Sequence, residues 1–331
     1  MVSVLPIGGV GMLIMEANHT CRPNPAATRS TCRRSNIFGS TKGAARRGVT
    51  DMDAPQITTI IPTFRREKQL RQTLLSVLNQ SGIGLEIIVV DDSPEASARP
   101  VVDDFKDQRI QYLHNPSPSG GFPSRVRNIA IPHARAPLIH FLDDDDLAPE
   151  GYYAQIIPQF SKHPDTGLIF GAVQPFGDGP AEQLDDERRF FAESSRLARL
   201  CRSMGNRFAF VSAHLFHHVL LVCSAGVVRR ECAAALGGFD PELKLMEDAA
   251  FYAFIIRRFG AMFIDDVAIH YRINSVQSLM HVATLSPVDH DRIAEQLKQA
   301  RRRTFGRYRE QFGDVEFLLL RTLARTAFRL L

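Results

Sequence analysis

The chain has 331 residues, 44% hydrophobic and 23% charged, which is enough to bury one large core or two modest ones and excludes collagen-like, coiled-coil and wholly disordered chains. Lysine plus arginine number 40 against 36 acids, a formal charge of +4, but residues 1–54 hold seven basic and three acidic side chains, leaving 33 of each sign in the remaining 277 residues. A surplus confined to a tail is not a basic stripe across a folded face, so nucleic acid is not expected as a partner.

The N-terminal run Val2–Met15 is apolar but contains Pro6 and three glycines with no basic residue before it, a poor match to a secretory signal. Residues 16–54 show neither helical nor strand periodicity. They read as a disordered extension, as a basic, acid-poor targeting peptide, or as sequence upstream of a true start at Met52. From Gln56 the texture changes. Ile57–Ile61 is a β-branched run before Pro62, and Arg66–Leu78 places leucines 70, 74, 75 and 78 on one helical face. Strand Leu85–Val90, a short polar helix, strand Arg109–Leu113, a helix from Phe122 and strand Pro137–Leu142 follow. Alternation of this kind, with nearly continuous apolar strands, predicts an α/β fold with a parallel sheet covered on both faces. Beyond Pro149 the spacing predicts a helix at Tyr152–Phe160, a strand at Gly167–Val173, a charged helix at Glu182–Arg202, a helix at Glu247–Phe259, a last strand at Ala261–Tyr271 and helices from Asp289. In Glu316–Leu331, Arg321, Arg325 and Arg329 recur every four residues. They suit either a helix lying on an anionic membrane surface or one packed on the body with a solvated arginine face.

Five cysteines, at 21, 32, 201, 223 and 232, form no C-x-x-C pair; a reducing, cytoplasmic setting is expected, at most peripheral to the inner face of the membrane. No run of eighteen apolar residues is present to span a bilayer.

Polar residues cluster just after the strands, where open α/β sheets bind ligands. Asp143-Asp144-Asp145-Asp146 is the densest such cluster. Four carboxylates on one loop need a positive partner, and hard oxygen donors suit Mg²⁺ or Mn²⁺; the plainer reading is a solvated acidic turn. Glu247-Asp248 opens a helix, where a carboxylate is favoured as a cap and can also serve as a general base. His214, His217 and His218 have helical ligand spacing, but without companion cysteines or an H-E-x-x-H pattern they are expected to be ordinary hydrogen-bonded or solvent-facing histidines.

Taken in order, Ile60-Ile61-Pro62-Thr63-Phe64-Arg65-Arg66, Val89-Val90-Asp91-Asp92-Ser93, Ser124-Arg125-Val126-Arg127-Asn128, Phe141 to Asp146, Gly237-Gly238-Phe239-Asp240 and Glu247-Asp248 resemble the family 2 glycosyltransferases of GT-A fold across residues 56–275. The resemblance implies a three-layer α/β/α domain with a mostly parallel sheet at 55–285, with a nucleotide-binding half at 55–149 and an acceptor half at 150–285, followed by a C-terminal amphipathic helical segment at 286–331. It implies a nucleotide-diphosphate-sugar donor, foremost a UDP-sugar, and transfer with inversion to a glycan or lipid-linked acceptor. Pro62, Thr63, Phe64 and Asp92, supported by Asp91, would hold base and ribose, and Arg127 would help hold the nucleotide. Asp143 and Asp145 match the two acids of the D-x-D pattern, Asp143 near the ribose and Asp145 on a Mn²⁺ or Mg²⁺ ion; Asp248 matches the catalytic base. The sequence departs from the pattern at Ala130, where a glycine is common, and at Asn274, where a histidine that completes the metal site is common, with His270 nearby. The D-x-D register also has an alternative at Asp144 and Asp146.

Other classes fit less well. A receiver-type phosphoacceptor module would share Ile87–Asp92, but it needs a later strand-end lysine, and no lysine occurs between Lys162 and Lys244. A nucleotidyltransferase would carry a glycine-rich phosphate loop after the first strand, where this chain has Pro62–Arg66. A catalytically inactive sugar-nucleotide-binding protein would be expected to lack the intact Asp143, Asp145 and Asp248 set.

Overall fold

The computed structural model describes residues 54–273 and 287–328. The expectations for residues 1–53 and for Asn274 lie outside them. The first half runs β1 (Ile57–Thr63), α1 (Glu67–Leu78), β2 (Leu85–Asp91), α2 (Arg99–Phe105), β3 (Ile110–His114), α3 (Pro123–Ala130) and β4 (Leu138–Phe141). The second runs α4 (Tyr152–Lys162), β5 (Leu168–Phe176), α5 (Ala181–Ser203), α6 (Arg207–Phe216), β6 (Gly226–Arg229), α7 (Arg230–Leu236), α8 (Glu247–Phe259), β7 (Ala261–Arg272), α9 (Pro287–Phe312) and α10 (Asp314–Ala327).

The seven strands form one sheet in the order β3-β2-β1-β4-β6-β5-β7. β1 lies parallel between β2 and β4, and every residue of β2 is buried, which is why these strands read as continuous apolar runs: helices cover both faces. The sheet is mostly parallel, as expected, with the exception of β6, which pairs antiparallel with both β4 and β5. The helical excursion through α5 and α6 returns the chain in the opposite sense. Strand order also separates the fold from a receiver module, because β1 and its helix precede β2 and sit at the sheet centre.

Two helices escaped the sequence reading. In α6, Ala209 through Leu215 are all buried, because it packs between α8 and α10 and so shows no polar face. α7 has only seven residues and is stopped by Gly237 in the left-handed region at φ +74°, too short to show a period. Both C-terminal helices join the main core. Phe317, Leu320, Ala324 and Phe328 belong to the same buried cluster as Ile57 and Phe141, Ser212 Oγ donates to the Leu320 carbonyl at 2.7 Å, and Arg257 forks onto Glu316 at 2.6 and 2.7 Å. The two halves share one sheet and one continuous core, so the boundary near residue 150 divides the sequence without dividing the hydrophobic interior.

Candidate active site at the strand ends

The C-terminal ends of β1, β2 and β4 lie side by side: the Asp92 amide donates to the Thr63 carbonyl at 2.9 Å and the Leu142 amide to the Ile60 carbonyl at 3.0 Å. The loops that follow these strands therefore share one edge of the sheet. Asp91 is fully buried. Its carboxylate accepts from the Ser93 amide and hydroxyl, the Ala98 amide and the Tyr112 hydroxyl, all within 2.6 to 2.9 Å, so it builds the turn rather than facing the crevice. Asp92 accepts from Asn115 Nδ2 at 2.7 Å and from the Ser119 amide and hydroxyl at 3.0 and 2.6 Å, and so orders the loop after β3. Pro62 is half-buried and Thr63 buried, while Phe64 presents an exposed ring.

The four aspartates split by alternation. Asp143 and Asp145 have 31% and 13% side-chain exposure, whereas Asp144 and Asp146 are buried. The inward pair is tied down. Asp144 accepts from Thr63 Oγ1 at 2.7 Å and Arg66 Nη1 at 2.9 Å; Asp146 accepts from the Arg272 amide at 2.9 Å; and Thr73 Oγ1 contacts the carbonyls of both at 2.9 and 2.8 Å. Burial raises both carboxyls above the ordinary range, with Arg66 opposing the rise at Asp144. The outward pair is Asp143 and Asp145.

The sequence reading sought the positive partner of this cluster in a cation alone, and the structure corrects that: arginines already surround it. Arg66 reaches Asp144 and Asp145, each at 2.9 Å. Arg272 Nε donates to the Asp145 carbonyl at 2.7 Å. Arg127, 2% exposed, spans Asp143 Oδ1 at 2.6 Å and Glu247 Oε1 at 2.7 Å, with its guanidinium 5.3 Å from the Phe239 ring centroid. Arg127 is thus a buried bridge between two acids. Sequence reasoning gave Arg66 no role; its place just before α1, on the same sheet edge as the aspartates, was the available signal.

Asp248 is half-buried in the first turn of α8. It follows Met246, which adopts φ +58°, a left-handed conformation uncommon for a residue with a side chain. Burial raises the Asp248 carboxyl, with Arg127 opposing and Asp143 reinforcing the rise; burial and the Asp248 charge also raise Glu247. A buried chain sets the backbone beneath Asp143. The hydroxyls of Thr59 and Tyr153 meet at 2.7 Å, Tyr153 meets His140 Nδ1 at 2.7 Å, and His140 Nε2 donates to the Ser224 carbonyl at 2.8 Å. Ser224 Oγ accepts the Asp143 amide at 3.1 Å. Since His140 Nε2 carries the proton and burial pushes the ring down to about 4, this imidazole is neutral.

The residues fit a divalent ion in one respect. Mg²⁺ needs only one or two protein carboxylates, its remaining positions going to water and phosphate oxygens, and Asp143 and Asp145 are two outward hard donors. Among the described residues no group of three acid, histidine or cysteine ligands converges. The histidine triplet is no metal site: His214 accepts the Leu220 amide and donates to the Ala249 carbonyl at 3.3 and 3.1 Å, and His218 bonds Ser194 at 2.9 Å. His270 carries a backbone bridge to Leu147. The Gly237–Asp240 turn is a structural joint, where Asn128 clasps the Phe239 amide and carbonyl at 2.8 and 2.9 Å and Asp240 anchors Arg303 and Arg307 of α9, each at 2.7 Å.

The family model described as glycosyl transferase family 2 matches residues 58–230, more than half of the chain, and the chain belongs to that family. Its fold is the GT-A type: the crystal structure of S. aureus TarS 1–349 in complex with UDP-GlcNAc superimposes with a TM-score of 0.50 at 18% identity over 71% of this chain and 63% of that one. The GalNAc(5)-diNAcBac-PP-undecaprenol beta-1,3-glucosyltransferase of Campylobacter jejuni is 36% identical over 94 residues, 28% of this chain and 30% of the relative. The UDP-Glc:alpha-D-GlcNAc-diphosphoundecaprenol beta-1,3-glucosyltransferase WfgD of Escherichia coli is 33% identical over 96 residues, 29% of this chain and 37% of the relative. The chain thus spans about a third of the length of these curated relatives.

Proposed function

We propose that this protein is a divalent-metal-dependent, inverting hexosyltransferase that moves a sugar from a UDP-sugar to a hydroxyl of a glycan or lipid-linked acceptor. The carrying observation is the Arg127 bridge from Asp143 to Glu247, which brings the strand-end acids and the first turn of α8 to one place. Phe64 offers an exposed ring for the base, with Asp92 fixing the loop beside it. Asp143 and Asp145 would hold a Mn²⁺ or Mg²⁺ ion, which when bound neutralises charge on the leaving diphosphate. Asp248 accepts the acceptor hydroxyl's proton as that oxygen attacks the anomeric carbon; its raised pKa makes it a stronger base than an ordinary aspartate, and a single displacement inverts the centre. Two relatives whose names carry undecaprenol-linked acceptors, one of them also UDP-Glc, support the donor and acceptor classes.

Calorimetric titration with UDP, GDP, CDP and dTDP, with and without Mn²⁺, tests the reading. Metal-dependent binding of UDP is expected, lost in Asp145→Ala while the thermal melt is unchanged. A folded protein that binds no nucleotide diphosphate, or an Asp145→Ala variant that binds as the parent does, refutes it.

A further inference from the structure

Helix α10 buries Phe317, Leu320 and Ala324 against the body, and the opposite face is expected to be polar. It is not. Val315, Leu318 and Leu319 are 74%, 57% and 65% exposed, the three most exposed large apolar side chains among the described residues. At 100° per residue they lie on the outward side together with the exposed Thr322 and Thr326. Arg321 and Arg325, also exposed, border this patch along one flank, and no carboxylate pairs with either among the described residues. The helix's own acids are engaged, Asp314 with Arg309 and Glu316 with Arg257 and Tyr308.

From this face we propose that α10 is a docking surface for an anionic lipid bilayer, its apolar ridge entering the headgroup layer and Arg321 and Arg325 meeting lipid phosphates. An apolar ridge bordered by unanswered cations is the pattern of an interfacial helix. A second copy of the chain answers it less well: a two-fold antiparallel pairing on this ridge sets arginine against arginine, and the helix has no free acid to offset them. No described helix is long and apolar enough to cross a membrane.

The placement also has a sense. Phe328, just past α10, packs its ring 5.6 Å from that of His217 at the end of α6, and His214 on the same helix donates to the Ala249 carbonyl beside Asp248. The C-terminal end of α10 thus lies at the end of the molecule that carries Asp248. A bilayer beneath α10 would run close to the acceptor side, a consequence that rests on the proposed function, whereas the lipid contact itself does not.

Vesicle flotation of the full chain tests the contact without any sugar transfer. Co-flotation is expected with vesicles of phosphatidylcholine plus phosphatidylglycerol and not with phosphatidylcholine alone, and it should weaken as salt rises. The Arg321→Gln/Arg325→Gln pair should weaken partitioning about thirtyfold, and Leu318→Glu/Leu319→Glu should abolish it, each with an unchanged melt and unchanged UDP titration. Absence of flotation, flotation that survives both double variants, or a concentration-dependent dimer in sedimentation that only Leu318→Glu/Leu319→Glu dissolves would overturn the assignment, the last in favour of a second copy. Loss of UDP binding in the parent protein would fell the proposed function and leave the lipid result standing.

Discussion

Replacing Arg127 by methionine keeps the length and apolar stem of the side chain and removes one charge from between two acids. Arg127 is 2% exposed, and its guanidinium lies 2.6 Å from Asp143 and 2.7 Å from Glu247. Removing one partner of a buried pair costs about 3–5 kcal/mol, because the remaining charge is left without compensation; at roughly 2–4 °C per kcal/mol for a chain of this size, the melt should fall by on the order of 10 °C. The loss has a pH signature. Burial already raises the Glu247 carboxyl and Arg127 opposes that rise, so the variant raises it further. A carboxyl whose folded pKa lies above its unfolded value favours the fold at low pH, and that contribution is lost as pH climbs from the unfolded value, ~4.3, through the folded one. The gap between parent and variant should therefore be small near pH 5 and widen toward pH 8. Urea unfolding at both pH values measures it. A gap below about 1 kcal/mol at pH 8, the level of an exposed ion pair, or one independent of pH, would refute the buried-bridge argument.

Two further outcomes follow from the same geometry. Asp248→Asn should lower kcat by about 10²–10⁴, the usual worth of a positioned base, with donor binding by calorimetry unchanged; the acidic limb of the parent's pH–rate profile should lie above the ordinary aspartate range, since burial raises this carboxyl. His140, held down to about 4 by burial, should stay neutral by NMR across pH 5.5–8, and the stability this gives should be present above the unfolded histidine value, ~6.5, and fade as pH falls from there toward 4. A His140 ring that titrates near 6.5 would break the Tyr153–His140–Ser224 chain.

The fold's first half was legible in the sequence because its strands are fully covered and its helices half covered, so period and burial coincide. β1, β2 and α1 fall within two residues of their predicted ends, and α8 matches at both. Legibility fails where coverage is total or an element is short: α6 is enclosed between α8 and α10 and carries no polar stripe, and α7 is two turns long. The direction of β6 was unreadable for another reason, since a four-residue strand carries no mark of parallel or antiparallel pairing, which depends on where the chain between 181 and 216 returns it.

At the site, residue types were legible and their partners were not. A run of four identical aspartates carries no information about which two face outward; that is set by the alternation that continues from β4, by Thr63 and Arg66 receiving Asp144 from below, and by the Arg272 amide receiving Asp146. Arg66, Arg127 and Arg272 are 206 residues apart at their extremes, and only the order of strands β1, β4 and β7 and the start of α8 brings them to one loop. Their convergence changes what the cluster requires of a cation. Arg66 pairs with Asp144 and Asp145 and Arg127 with Asp143, so the aspartate loop can be ordered before any ion arrives, and an ion on the outward pair would share it with these guanidiniums. A site arranged in this way should keep its melt when chelator is added and lose only nucleotide binding, whereas a loop held together by the metal would lose both.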